Sequence, residues 1–153
     1  MLIPLVSFGQ VKNGKVYTYH TPQTKILLVG DDSLEIVRDT TLVLTSRNYI
    51  DGKKQGYEIT YYRSGQIAHV VPMVDDLMQG QLLFFMDSKP SYVMRTENYV
   101  DGVIQGKKIV YYKSGEIKST LNYEDGLRQG ETKYYNILGK LIKTENYVDG
   151  VKQ

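Results

Sequence analysis

From residue 48 onward short runs rich in Ile, Val, Leu and Tyr are separated by polar segments, most of which carry glycine. Lys107-Lys108-Ile109-Val110-Tyr111-Tyr112 is one such run, and Ile117 through Tyr123 is the next. Alternation with period two is the mark of a strand whose two sides meet different surroundings. Lys113-Ser114-Gly115-Glu116 predicts a tight turn between these two strands. Asp125-Gly126-Leu127-Arg128-Gln129-Gly130 predicts the loop to the following pair. Asp-Gly between alternating segments favours a hairpin, because such turns need positive φ. Strands joined only by short loops must run antiparallel, since a parallel pair needs a long crossover.

The pattern recurs. Asn48-Tyr49-Ile50-Asp51-Gly52 returns as Asn98-Tyr99-Val100-Asp101-Gly102, as Asn122-Tyr123-Glu124-Asp125-Gly126 and as Asn146-Tyr147-Val148-Asp149-Gly150. Gly102, Gly126 and Gly150 are 24 residues apart, and Gly52 to Gly102 is two such steps plus two residues. A period of this size means stacked supersecondary units, each too small to stand alone. The expected architecture is all-β: an elongated antiparallel meander of hairpin repeats. The array covers 48–153, as about 48–71, 72–97, 98–121, 122–145 and a partial 146–153. The turn glycines are Gly52, Gly56, Gly80, Gly102, Gly106, Gly126, Gly130 and Gly150. The second copy departs from the others. Asp76 replaces the first glycine, and Asp87-Ser88-Lys89-Pro90-Ser91 predicts a wider loop.

Aligned on the second glycine of each copy, Tyr61, Phe85, Tyr111 and Tyr135 form a column. Ile59, Leu83 and Ile109 form another, two residues earlier. Ile67, Val93, Ile117 and Leu141, together with Tyr49, Met73, Tyr99, Tyr123 and Tyr147, are expected on the same packed side. A single layer has a thin core, so large rings must supply the burial. The doubled aromatics leave Tyr62, Phe84, Tyr112 and Tyr134 on the opposite side, a candidate strip for binding a partner.

Residues 10–47 lack the repeat and predict a non-repeat β cap. Its strands are expected at Lys15–Tyr19, Lys25–Val29, Leu34–Val37 and Thr41–Thr45; Asp32-Ser33-Leu34-Glu35 also has the form of a capping box. Residues 1–9 are apolar up to Ser7-Phe8-Gly9, a small-x-small site, and read as the remnant of a secretory signal with Gln10 as the first mature residue. A short apolar first strand is the alternative.

Composition narrows the chemistry. Nineteen Lys and Arg face seventeen Asp and Glu, interspersed along the chain, so bulk charge recruits neither nucleic acid nor an anionic membrane. There is no cysteine, hence no disulfide and no thiolate metal site. No apolar stretch approaches the roughly 20 residues that span a bilayer. His20 and His69 lie in no nucleophile or metal signature. Asp51, Asp101, Asp125 and Asp149 recur, but each suits its turn for backbone reasons and lacks the oxygen-rich spacing of a calcium loop. No cofactor and no catalytic constellation is expected.

The motif Tyr-x-Asp-Gly-x-x-x-Gly, followed by Tyr-Tyr-x-x-Gly-x-Ile, resembles the variant MORN repeat of bacterial YwqK-type antitoxin proteins, over about 48–153. That resemblance implies stacked β-hairpins and a protein-binding role, with a toxin as partner. The apolar start instead favours export, to the periplasm or beyond, and an envelope protein as partner. The rival function is an exported structural or adhesive repeat protein that binds surface protein or glycan.

Overall fold

The structure is a computed structural model that describes residues 13–19, 27–29 and 43–153. The expected signal remnant, the strand at Leu34–Val37, the capping box and His20 lie outside the described residues.

Every regular element among the described residues is a strand: β1 (Gly14–Tyr19), β2 (Leu27–Val29), β3 (Val43–Ile50), β4 (Lys53–Lys54), β5 (Gly56–Tyr61), β6 (Ile67–Val74), β7 (Leu77–Met78) and β8 (Gly80–Phe85). The array continues as β9 (Val93–Val100), β10 (Val103–Ile104), β11 (Gly106–Tyr111), β12 (Ile117–Glu124), β13 (Leu127–Arg128), β14 (Gly130–Tyr135), β15 (Leu141–Val148) and β16 (Val151–Lys152). They form one antiparallel sheet in the order β16-β15-β14-β12-β11-β9-β8-β6-β5-β3-β1-β2, and β4, β7, β10 and β13 pair with β3, β6, β9 and β12. This is the all-β meander of hairpins that the sequence predicts.

Each repeat holds three strands, where the sequence predicts two. The expected connecting loop contains a two-residue strand that folds straight back on its predecessor: Val103 pairs with Val100 and Ile104 with Tyr99. The turn between them has positive φ at both central residues, 49° at Asp101 and 81° at Gly102. That is the type I′ geometry, whose twist matches that of the flanking strands. Asp51-Gly52, Asp125-Gly126 and Asp149-Gly150 repeat it. Asp76 adopts φ 70° in the slot where the other copies carry glycine. The second copy also has the wider loop: Met86 N–H bonds Tyr92 O, whereas the other hairpins close from Tyr62 to Gln66, Tyr112 to Glu116 and Asn136 to Lys140.

A bulge sits in every long hairpin, at Thr60/Tyr61, Phe84/Phe85, Val110/Tyr111 and Tyr134/Tyr135. One extra residue reverses which side every later side chain occupies. The single packed side expected from strict alternation is therefore split. Gly56, Gly80, Gly106 and Gly130 lie opposite Met73, Tyr99, Tyr123 and Tyr147. This set shares one face, face A, with Leu82, Glu97 and Leu121. Ile59, Leu83 and Ile109 lie on face B, and so do Tyr61, Phe85, Tyr111 and Tyr135 with their partners Ile67, Val93, Ile117 and Leu141. Burial is deeper on face A, where Met73, Leu82, Thr132, Leu121 and Tyr147 are buried.

The same register reaches back before residue 48. Gly14 lies opposite Tyr49, with a bulge at Thr18/Tyr19. β1 and β3 thus carry the pairing of a repeat within the segment read from sequence as a non-repeat cap. Asn13-Gly14 and Tyr17-Thr18-Tyr19 match Gln55-Gly56 and Ile59-Thr60-Tyr61 at the same offsets, but 23 residues separate Tyr19 from Val43, and that length hides the match.

Candidate functional site

Three sets of groups compete: the charges of face A, the aromatic strip, whose Phe84 and Tyr134 lie on that same face with Tyr99 and Tyr147 rather than opposite them, and the edge made by the Asp-Gly turns.

Face A carries three carboxylates, each held by two cations. Glu58 accepts from Lys54 Nζ at 2.8 Å and pairs with Arg47 Nε at 3.0 Å. Glu97, its side chain 7% exposed, lies 2.8 Å from Lys108 Nζ and 3.1 Å from Arg95 Nε, and accepts the Tyr99 hydroxyl at 3.1 Å. Glu145 accepts from Lys143 and Lys152, both at 2.7 Å, and from the hydroxyls of Tyr134 and Tyr147. A buried carboxylate without such partners would be severely destabilising. Burial pushes Glu58 up, but hydrogen bonds from Lys54 and Arg47 outweigh it and leave the carboxyl below its usual range. Hydrogen bonds from Lys143, Lys152 and Tyr134 hold Glu145 far below that range. These groups neutralise one another and stitch neighbouring strands together.

The four aromatics of the predicted strip are half-buried and engaged. The Tyr62 hydroxyl donates to Phe85 O and that of Tyr112 to Tyr135 O, each at 2.8 Å. Both are braces from one hairpin to the next. Phe84 packs edge-on against His69, centroids 4.6 Å apart, with the Arg95 guanidinium 3.6 Å above its ring. Burial, and then the Arg95 charge, push the His69 imidazole below its ordinary value, which keeps it neutral near pH 7. Tyr134 donates to Glu145 at 3.0 Å. Tyr62, Phe84 and Tyr112 thus tie one hairpin to the next, and Tyr134 braces its own hairpin. Among the described residues no group of three His, Asp or Glu side chains converges as a metal site would.

The turn edge is different. Among the described residues an aliphatic residue stands before or after every Asp-Gly or Asp-Asp pair, and type I′ geometry sets the two flanks directly opposite each other on face B. Val74 pairs with Leu77, Val100 with Val103 and Val148 with Val151. Ile50 and Leu127 supply one aliphatic each to the remaining turns, opposite Lys53 and Glu124. All are exposed, between 44% and 64%. Leu77, Val103 and Leu127 each lean toward the following turn: an added Cβ at Gly102, Gly126 or Gly150 would lie 3.6–3.7 Å from them. The result is an apolar row along one long edge of the sheet.

Cross-repeat hydrogen bonds keep this row in line. Gln79, Gln105 and Gln129 accept the backbone N–H of Asp101, Asp125 and Asp149 at 2.7, 3.2 and 2.9 Å. Asn13 does the same for Asp51 at 2.9 Å. Gly102, Gly126 and Gly150 donate to Met78, Ile104 and Arg128 of the preceding copy.

Sequence reasoning missed the row because turn flanks are expected to be polar. The signal was present as an aliphatic residue on both sides of the turn in three of five copies. Comparison with protein-family models, with curated proteins and with solved structures finds no match for this chain.

Proposed function

We propose that this chain is a non-catalytic protein-interaction module, similar to YwqK-type antitoxins built from MORN-like repeats, that engages a protein partner along its turn edge. The observation that carries this reading is the row of exposed aliphatic side chains, one or two per turn. Contiguous exposed apolar surface of this kind marks interaction sites in soluble proteins. The polar groups of face A are paired with one another and the Tyr62 and Tyr112 hydroxyls with backbone carbonyls, which favours the turn edge over either as the recognition surface.

The test is growth rescue on co-expression with the product of a toxin gene adjacent to its own. The wild-type chain should restore growth. Val103→Arg combined with Leu127→Arg should fail to do so at an equal level of soluble protein, because both positions are exposed. Rescue that is unaffected by the double substitution would refute the assignment of the turn edge.

A further inference from the structure

Among the described residues the charges of this sheet are sorted by edge, a feature invisible in the near-zero net charge of the chain. The Asp-Gly edge (50–54, 74–79, 100–105, 124–129 and 148–153) carries seven carboxylates, at least one in every turn, against four cations. The four cations are engaged, Lys54 with Glu58, Lys152 with Glu145, Arg128 with Tyr123 and Lys53 within 3.9 Å of Asp75. Asp75, Asp76 and Asp125 each accept a hydrogen bond within the edge while keeping their charge. The opposite edge, made by the hairpin turns, has the reverse balance. Among the described residues, Arg63, Lys89, Lys113 and Lys140 outnumber Asp87 and Glu116 there. The exposed aliphatic row therefore runs inside an acidic border.

Spacing and backbone chemistry narrow the occupant further. Successive rungs are two strands apart, about 9.6 Å at the usual strand separation. A helix advances about 10.5 Å in seven residues, so apolar residues on a heptad meet rung after rung. The turns offer little to an added strand. The N–H groups of Asp101 and Gly102 already donate to Gln79 Oε1 and Met78 O, and the later turns repeat this. Strand addition needs free backbone groups, whereas a helix satisfies its own.

Resting on the reading of the turn edge as a binding surface, we propose that its occupant is a cationic amphipathic α-helix of a partner protein, with aliphatic residues on a seven-residue repeat and Lys or Arg beside them. The aliphatic positions meet the row, and the cations meet the turn carboxylates.

A synthetic peptide of about 28 residues, four heptads with Leu facing one way and Lys on the flanks, is the probe. Its partner in the experiment is a peptide of the same design with Glu in place of Lys. Fluorescence anisotropy with the whole chain should show saturable binding of the Lys peptide that weakens with added salt. The Glu peptide should bind at least roughly tenfold more weakly, a loss of about 1.4 kcal/mol. Val103→Arg with Leu127→Arg should weaken the Lys peptide by a similar factor. Asp101→Asn with Asp149→Asn, which keeps turn-compatible side chains, should reduce the salt dependence. Leu138→Arg, on the opposite edge, should change nothing. Absence of saturable binding, equal binding of both peptides, or indifference to the turn-edge substitutions would overturn the proposal. So would concentration-dependent self-association of the free chain that Val103→Arg abolishes, since the occupant would then be a second copy. Toxin rescue that depends on Val103 and Leu127, without peptide binding, would sink the helix alone and leave the binding edge standing.

Discussion

Gln105 and Asp125 hold each other across the boundary between two repeats. The Gln105 Nε2 donates to Asp125 Oδ1 at 2.6 Å, and the Asp125 backbone N–H donates to Gln105 Oε1 at 3.2 Å. The pair ties the start of one unit to the turn of the next, and so sets the alignment of the exposed row. In a repeat array, stability is approximately a sum over units and the interfaces between them. Gln105→Ala removes both bonds and should cost about 1–2 kcal/mol in urea unfolding. Gln105→Glu keeps the acceptor but sets a carboxylate against Asp125. It should be less stable than wild type near neutral pH and recover part of the loss on acidification.

The tyrosine braces make a second prediction, which separates fastening from recognition. Tyr112→Phe deletes only the hydroxyl that donates to Tyr135 O. It should lower stability by about 0.5–1.5 kcal/mol and leave partner affinity unchanged. Tyr62→Phe should behave alike through Phe85 O. Loss of binding without loss of stability in either variant would restore these rings to a recognition role.

Asp76 tests the turn chemistry. It holds φ 70° where other copies use glycine, and its Oδ1 accepts the Lys54 backbone N–H at 2.8 Å. Left-handed backbone costs an ordinary L-residue roughly 1–2 kcal/mol and aspartate less, and the bond returns about 1 kcal/mol. Asp76→Gly exchanges one effect for the other and should stay within about 1 kcal/mol of wild type. Asp76→Ala loses the bond and meets the strain, so thermal unfolding should show it clearly less stable than Asp76→Gly.

The carboxylates of face A make stability depend on acid. Hydrogen bonds from Lys143 and Lys152, then Tyr134, place Glu145 far below its ordinary value of 4.5 in the folded chain. A depressed folded value means that the unfolded chain binds the proton more readily. The stabilisation is thus complete above 4.5 and is lost as pH falls below it toward the folded value. Glu145→Gln should be less stable than wild type by a constant margin around pH 6–8. That margin should shrink as the pH falls below 4.5. A margin that grew on acidification would contradict this sign.

The fold was largely legible because the repeat carries its own punctuation. Asp-Gly pairs and period-two runs fix strands, turns and antiparallel order without any tertiary information. Which side each residue occupies was not legible. The bulge at Thr60/Tyr61 adds no sequence mark of its own, yet it moves Ile67 onto the face of Tyr61 and leaves Met73 on the other. The repeat pairing of β1 with β3 was hidden by the long stretch between Tyr19 and Val43. The doubled aromatics drew the candidate strip to Tyr62, Phe84, Tyr112 and Tyr134, because the hydroxyl partners of Tyr62 and Tyr112 are carbonyls on neighbouring hairpins, which no local pattern reveals.

Site-specific photocrosslinking in the native host reads directly whether a protein partner lies along the turn edge. A photoreactive residue at exposed Val103 or Leu127 should give a discrete adduct with one partner, while the same residue at Lys113, on the opposite edge, should give none. Adducts at Lys113 with none at Val103 or Leu127 would place recognition on the opposite edge and overturn the assignment of the turn edge.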